Sequence, residues 1–149
     1  MPVSNPKRVQ RLRALAISAL SGGCVLGAFA PLNWWWLAPL GVALLSISLL
    51  GHGWRFAAVL GAVHGAVFFI PLLHWTGLYV GWWPWIALAG FEACYLAGLG
   101  VALAGLRHLT QRLPWTSWLL PVLIAVLWVG QETLRSALPW GGFPWGRLA

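Results

Sequence analysis

The chain has 149 residues, 60% of them hydrophobic and 7% charged, with 13 tryptophans against two acidic residues, Glu92 and Glu132. A water-soluble fold of this size needs a charged surface, so the composition excludes an ordinary soluble domain and fits helices that are apolar all round and solvated by lipid. The formal charge of +7 does not mark a nucleic-acid binder, because the basic residues are spread between apolar runs instead of forming one patch.

In chain order, residues 1–13 form a basic N-terminus carrying Lys7, Arg8, Arg11 and Arg13. The first apolar stretch covers about 14 to 30 and is closed by Pro31 and Asn33. Its beginning imitates a lipoprotein signal, since ALAISAL is followed by SGGC. Ser21, however, stands where a leucine is usual, and the apolar run continues to Ala30, so an uncleaved first span is expected.

The second stretch, about 34 to 50, opens on Trp34, Trp35 and Trp36. The third, about 56 to 73, carries Gly61 and Gly65 at the small-xxx-small spacing used for helix packing. The fourth covers about 85 to 106 and holds Glu92 near its middle; the fifth begins near Trp115 and runs through LLPVLIAVLWVG to Glu132. Apolar segments of roughly 17–25 residues cross the bilayer as helices, and the alternation of a barrel strand is absent. The expected fold is an all-α, polytopic transmembrane bundle of about five spans. Its membrane region covers 14–137, with a closing segment at 138–149.

Lys7 to Arg13 precede the first stretch, Arg55 separates the second from the third, and Arg107 and Arg112 follow the fourth. Placing these seven inside makes the N-terminus cytoplasmic and leaves residues 31–33, 74–84 and 133–149 outside. Arg135 and Arg147 break the rule, both near the end of the chain. Tryptophans at 34–36, 82, 83, 85, 115, 118, 140 and 145 fall mostly at span ends, as an interfacial belt requires.

Four histidines, His52, His64, His74 and His108, have no second histidine or carboxylate at helical spacing, so loop or packing roles are expected and no metal site or cofactor. Cys24 and Cys94 lie in different stretches and are expected to be buried structural thiols. Glu92 is the intramembrane polar residue, read as a carboxyl that joins two helices. Trp128, Glu132 and Arg135, at i, i+4 and i+7, share a helix face, and a mutual Glu132–Arg135 pair is expected there.

The ordered set Trp128-x3-Glu132-x2-Arg135, a short spacer and Gly142-Phe143-Pro144-Trp145 resembles the signature of apolipoprotein N-acyltransferases. The Gly27–Pro31 turn, the Phe68–Trp75 run and Tyr95 are similar to that family in the same order. The resemblance implies a multi-pass enzyme of the bacterial plasma membrane that moves an acyl chain from phospholipid to the amine of a lipoprotein's diacylglyceryl-cysteine. In the family a nitrilase-like domain on the outer side does this with a Glu-Lys-Cys triad.

No catalytic residue carries over: the sole lysine is Lys7, and both cysteines precede the motif. Trp128, Glu132, Arg135, Gly142, Phe143, Pro144 and Trp145 carry over as an outward-facing lipid- and substrate-side motif. The expected partners are a phospholipid acyl donor, a lipoprotein acceptor and membrane lipids, with no nucleic acid. The chain reads as an inactive membrane fragment. The alternative is a complete small membrane protein for transport or scaffolding, with Glu92 as its pathway residue.

Overall fold

The computed structural model describes residues 5–113, 118–139 and 141–148. Helix α1 spans Pro6–Gly27. The Asn5 side chain accepts from the Lys7 amide at 3.1 Å and proline occupies the first helical position, so the helix starts inside the basic N-terminus, ahead of the apolar stretch. Next come α2 (Leu37–Ser48), α3 (Trp54–Leu72), α4 (His74–Val80), α5 (Trp82–Arg112) and α6 (Leu120–Ala137). Among the described residues there are six helices and no strand. The segment 74–84, expected as an external connection, contains α4 and the start of α5. The expected start of the last stretch at Trp115 lies outside the described residues, as does Trp140.

Two of the helices, α3 and α5, are long and apolar enough to cross a membrane. With 12 residues, α2 rises only roughly 18 Å, short of a hydrocarbon core of about 30 Å. The structure therefore supports an all-helical fold with two span-length apolar helices.

Glycine sets the α3–α5 contact. A Cβ on Gly61 would fall on the Leu96 carbonyl, and one on Gly65 would come within 2.8 Å of the Ala93 Cα. As the position on α3 advances its partner on α5 recedes, so the two helices run antiparallel with their backbones nearly touching. Between α1 and α3 the register moves the other way: Ser18 Oγ donates to the Leu60 carbonyl at 2.6 Å and Ser21 Oγ lies 2.7 Å from His64 Nδ1. These offsets of 42 and 43 residues describe parallel neighbours. Ser21 also donates to the Gly41 carbonyl of α2 at 2.6 Å; with its single proton spent there, it accepts from His64, which fixes the Nδ1–H tautomer. Around these polar ties Val25, Leu45, Leu60, Phe68 and Leu96 form the core.

Exposed tryptophans at 34–36, 82, 83 and 118 flank the helices. The burial expected of both cysteines needs correction. Cys24 is half-buried and Cys94 is exposed, because α5 turns Ala89, Glu92, Ala93 and Leu96 inward and the next position onto its outer side.

Candidate functional site

Helix α6 buries three side chains, Trp128, Glu132 and Arg135, which form one stripe along it. The guanidinium is the centre of the cluster. Arg135 Nη1 donates to Glu92 Oε2 of α5 at 2.8 Å, to the Phe143 carbonyl at 3.1 Å and to the Trp145 carbonyl at 2.7 Å; Nη2 donates to the Gly146 carbonyl at 3.3 Å. The Phe69 ring lies 5.0 Å from its charge, adding a cation–π contact from α3. One side chain thus ties two helices and the closing segment to a third.

Glu132 serves the same segment from the neighbouring turn. Its Oε1 accepts from the Trp128 indole at 2.9 Å and from the Leu148 amide at 2.8 Å. The Phe143 amide donates back to the Arg135 carbonyl at 3.0 Å. Gly142, at φ +70°, passes so close to Ser136 that a Cβ would overlap that carbonyl, so only glycine admits this return of the chain against α6. From α5, the Tyr95 hydroxyl donates to the Leu138 carbonyl at 2.8 Å.

The expected Glu132–Arg135 pair is corrected by this geometry. Arg135 reaches across to Glu92, while the Glu132 carboxylate faces Trp128 and Leu148. Glu92 joins two helices, as a hydrogen-bonded carboxyl would. Of the two arginines that broke the charge rule, Arg135 is buried against a carboxylate and Arg147 is exposed. A buried, neutralised arginine is a poor guide to topology.

Outside the cluster, Phe143 and Trp145 lie 6.5 Å apart, and Trp145 meets Trp75 at 5.6 Å. Trp145 is half exposed, on the rim of a cavity of about 630 Å³ lined by Phe29, Leu72, Trp75, Pro144, Trp145 and Arg147. Aromatic walls with one cation at the mouth suit an amphiphile with an anionic or polar head. Neither cysteine lines this cavity.

The histidines are not brought together. His52 packs on Phe56, His64 stands edge-on to Trp128, His74 stands edge-on to Trp85, and His108 is exposed. Sequence reasoning missed the Ser21–His64 tie and the Arg135–Glu92 bridge. A signal existed for the first, in serines at 18 and 21 and a histidine at 64 inside apolar stretches; the second joins positions 43 residues apart with no local trace.

The fold and site define a class: an all-α bundle with a largely apolar exterior, whose closing aromatic segment is locked by a buried ionic cluster. Residues 21–149 match the family described as apolipoprotein N-acyltransferase N-terminal domain. A relative named apolipoprotein N-acyltransferase, from Mycolicibacterium smegmatis (strain ATCC 700084 / mc(2)155), is 39% identical over 107 residues, which is 68% of this chain and 17% of the relative. The chain belongs to the apolipoprotein N-acyltransferase N-terminal domain family. It spans about a sixth of that relative's length.

Proposed function

We propose that these residues form the membrane-embedded part of an apolipoprotein N-acyltransferase, which transfers an acyl chain from phospholipid to the N-terminal amine of a diacylglyceryl-cysteine lipoprotein. In this reading α1, α3, α5 and α6 cross the bacterial plasma membrane, as does the whole apolar stretch 34–50 that contains the short α2; the N-terminus is cytoplasmic, and the segment from Leu138 onward faces outward. The bundle anchors the enzyme and presents an entrance for lipid and lipoprotein. It carries no acyl-transfer nucleophile of its own: that step needs a thiolate or equivalent beside a base, and the half-buried Cys24 and the outward-facing Cys94 lie away from the aromatic cavity.

The observation that carries the reading is the Arg135 clamp. Three backbone carbonyls of the closing segment and the Glu92 carboxylate converge on one buried guanidinium, so Trp145 is held as a fixed half-exposed ledge beside Trp75. Rigid placement of an aromatic rim is what a receiving site for an acylated peptide requires. Support for the transport alternative is weaker, because its pathway residue, Glu92, is fully buried and engaged by Arg135.

The test uses the purified chain in phospholipid, with a photo-crosslinking aromatic residue at Trp145 or, as control, at the exposed Trp118. A diacylglyceryl peptide is expected to be captured at position 145 and not at 118, and to gain no acyl mass. Equal capture at both positions would remove the entrance reading. Acyl gain that vanishes on replacing both cysteines with alanine would place the chemistry inside the bundle.

A further inference from the structure

The end of the bundle away from the closing segment has a charge arrangement with no counterpart within the chain. The turn joining α2 to α3 meets the last turns of α5 around a cavity of about 320 Å³, lined by Leu50, Gly51, His52, Arg107, His108 and Gln111 among others. Arg107 is half-buried in its wall. A second guanidinium stands near His52: Arg11 of α1 lies 5.4 Å from the Phe56 ring, on which His52 also packs at 4.9 Å. Burial, and to a lesser degree the charge of Arg11, push the His52 imidazole below its ordinary range.

No carboxylate side chain exists to balance these guanidinium charges. The sequence has two acidic residues, and Glu92 and Glu132 both belong to the cluster at the other end. Beside this polar lining stands one exposed apolar side chain, Leu50, which is about half exposed. A half-buried guanidinium without an internal carboxylate counter-ion, beside the polar side chains of His108 and Gln111 and the exposed Leu50, in a chain embedded in lipid, calls for an anion that brings its own hydrocarbon.

We propose that this cavity binds the phosphate headgroup of an anionic phospholipid, with Arg107 as the principal ligand and the acyl chains leaving past Leu50. The lipid belongs to the leaflet on the N-terminal side, at the opposite end from Trp145, and is a bound structural partner instead of an acyl donor. The proposal rests on the chain being embedded in a bilayer and not on what the closing segment receives. Free phosphate shares the headgroup chemistry but leaves the exposed Leu50 without a partner.

The experiment is native mass spectrometry of the full chain in neutral detergent, titrated with phosphatidylglycerol, with phosphatidylcholine of the same acyl chains, and with inorganic phosphate. One phosphatidylglycerol is expected to be retained in preference to phosphatidylcholine, and Arg107→Gln should weaken its retention about fivefold, the effect of one basic side chain near an anionic lipid. Arg55→Gln is the matched control, because Arg55 lies at the same end but stacks on Trp54 at 5.0 Å, outside the cavity. It should change retention by less than about twofold, as a charge away from the headgroup is screened. Unchanged helical circular dichroism shows that both variants fold.

Equal retention of the two lipids, no retention of either, or equal losses in the two variants would overturn the site. Displacement of phosphatidylglycerol by millimolar inorganic phosphate would assign the cavity to a free anion and overturn the lipid. A chain that stays soluble without detergent would instead count against the membrane reading itself.

Discussion

Replacing Arg135 with methionine removes the charge while keeping much of the side-chain volume. Both members of the Arg135–Glu92 pair are 1% exposed, so the variant leaves a carboxylate buried without its partner and strips the Phe143, Trp145 and Gly146 carbonyls of their donor. Breaking a buried pair from one side costs about 3–5 kcal/mol. Part of that falls on the docking of the closing segment, because three of the four acceptors belong to it. Exchange of the amides at Phe143 and Leu148, which bond to the Arg135 carbonyl and to Glu132, reports that docking directly. If most of the loss is local, hydrogen exchange there should speed up on the order of 10²- to 10³-fold, with α3 and α5 protected as before. The double variant Glu92→Gln, Arg135→Met should lose less than the sum of the single changes, by about 1–3 kcal/mol, since it leaves no lone buried charge. Unchanged protection over 141–148 in Arg135→Met, or strictly additive losses, would refute the clamp.

Glu132 offers a smaller version of the same test: Trp128→Phe removes the indole donor to its carboxylate and should cost about 2 kcal/mol in thermal unfolding, whereas Trp118→Phe, at an exposed site, should stay within about 0.5 kcal/mol. Equal effects would mean the indole bond contributes nothing. Gly65→Leu forces a side chain into the Ala93 backbone and should separate α3 from α5 at a cost of about 3 kcal/mol, the upper range for overpacking, with Gly90→Leu, where a Cβ meets open space, as the tolerated comparison. Wild-type melting of Gly65→Leu would show that the close helix approach is not required. Reporter fusions after Arg55, Trp83, Arg112 and Trp145 should read inside, outside, inside and outside; the reverse alternation would put the Trp145 ledge on the wrong side for lipoprotein acylation.

Much of the architecture was legible because it depends on local pattern. Long apolar runs with glycine at small-residue spacing specify helices that pack closely, and the Gly61 and Gly65 approach to α5 follows from that spacing. The common face of Trp128, Glu132 and Arg135 was equally readable, since it follows from 3.6 residues per turn alone. Where the apolar signal was weak, the reading erred: the basic residues ahead of the first stretch hid a helix that Asn5 and Pro6 start early, and the connection after the third hid α4.

Which partner each polar group takes was decided only by the tertiary structure. Local spacing offered Arg135 the carboxylate of Glu132, but the folded bundle sets α5 alongside and brings Glu92 within 2.8 Å. The backbone carbonyls that complete the clamp leave no mark in any sequence, because every residue carries one and only the turn at Gly142 aims these three at the guanidinium. Sequence alone therefore determined that this chain is apolar and helical and carries the aromatic stretch Phe143–Trp145 after its last helix. Burial determined the rest: in a core without water, each charge and donor must be met by whichever group the packing of distant helices places beside it.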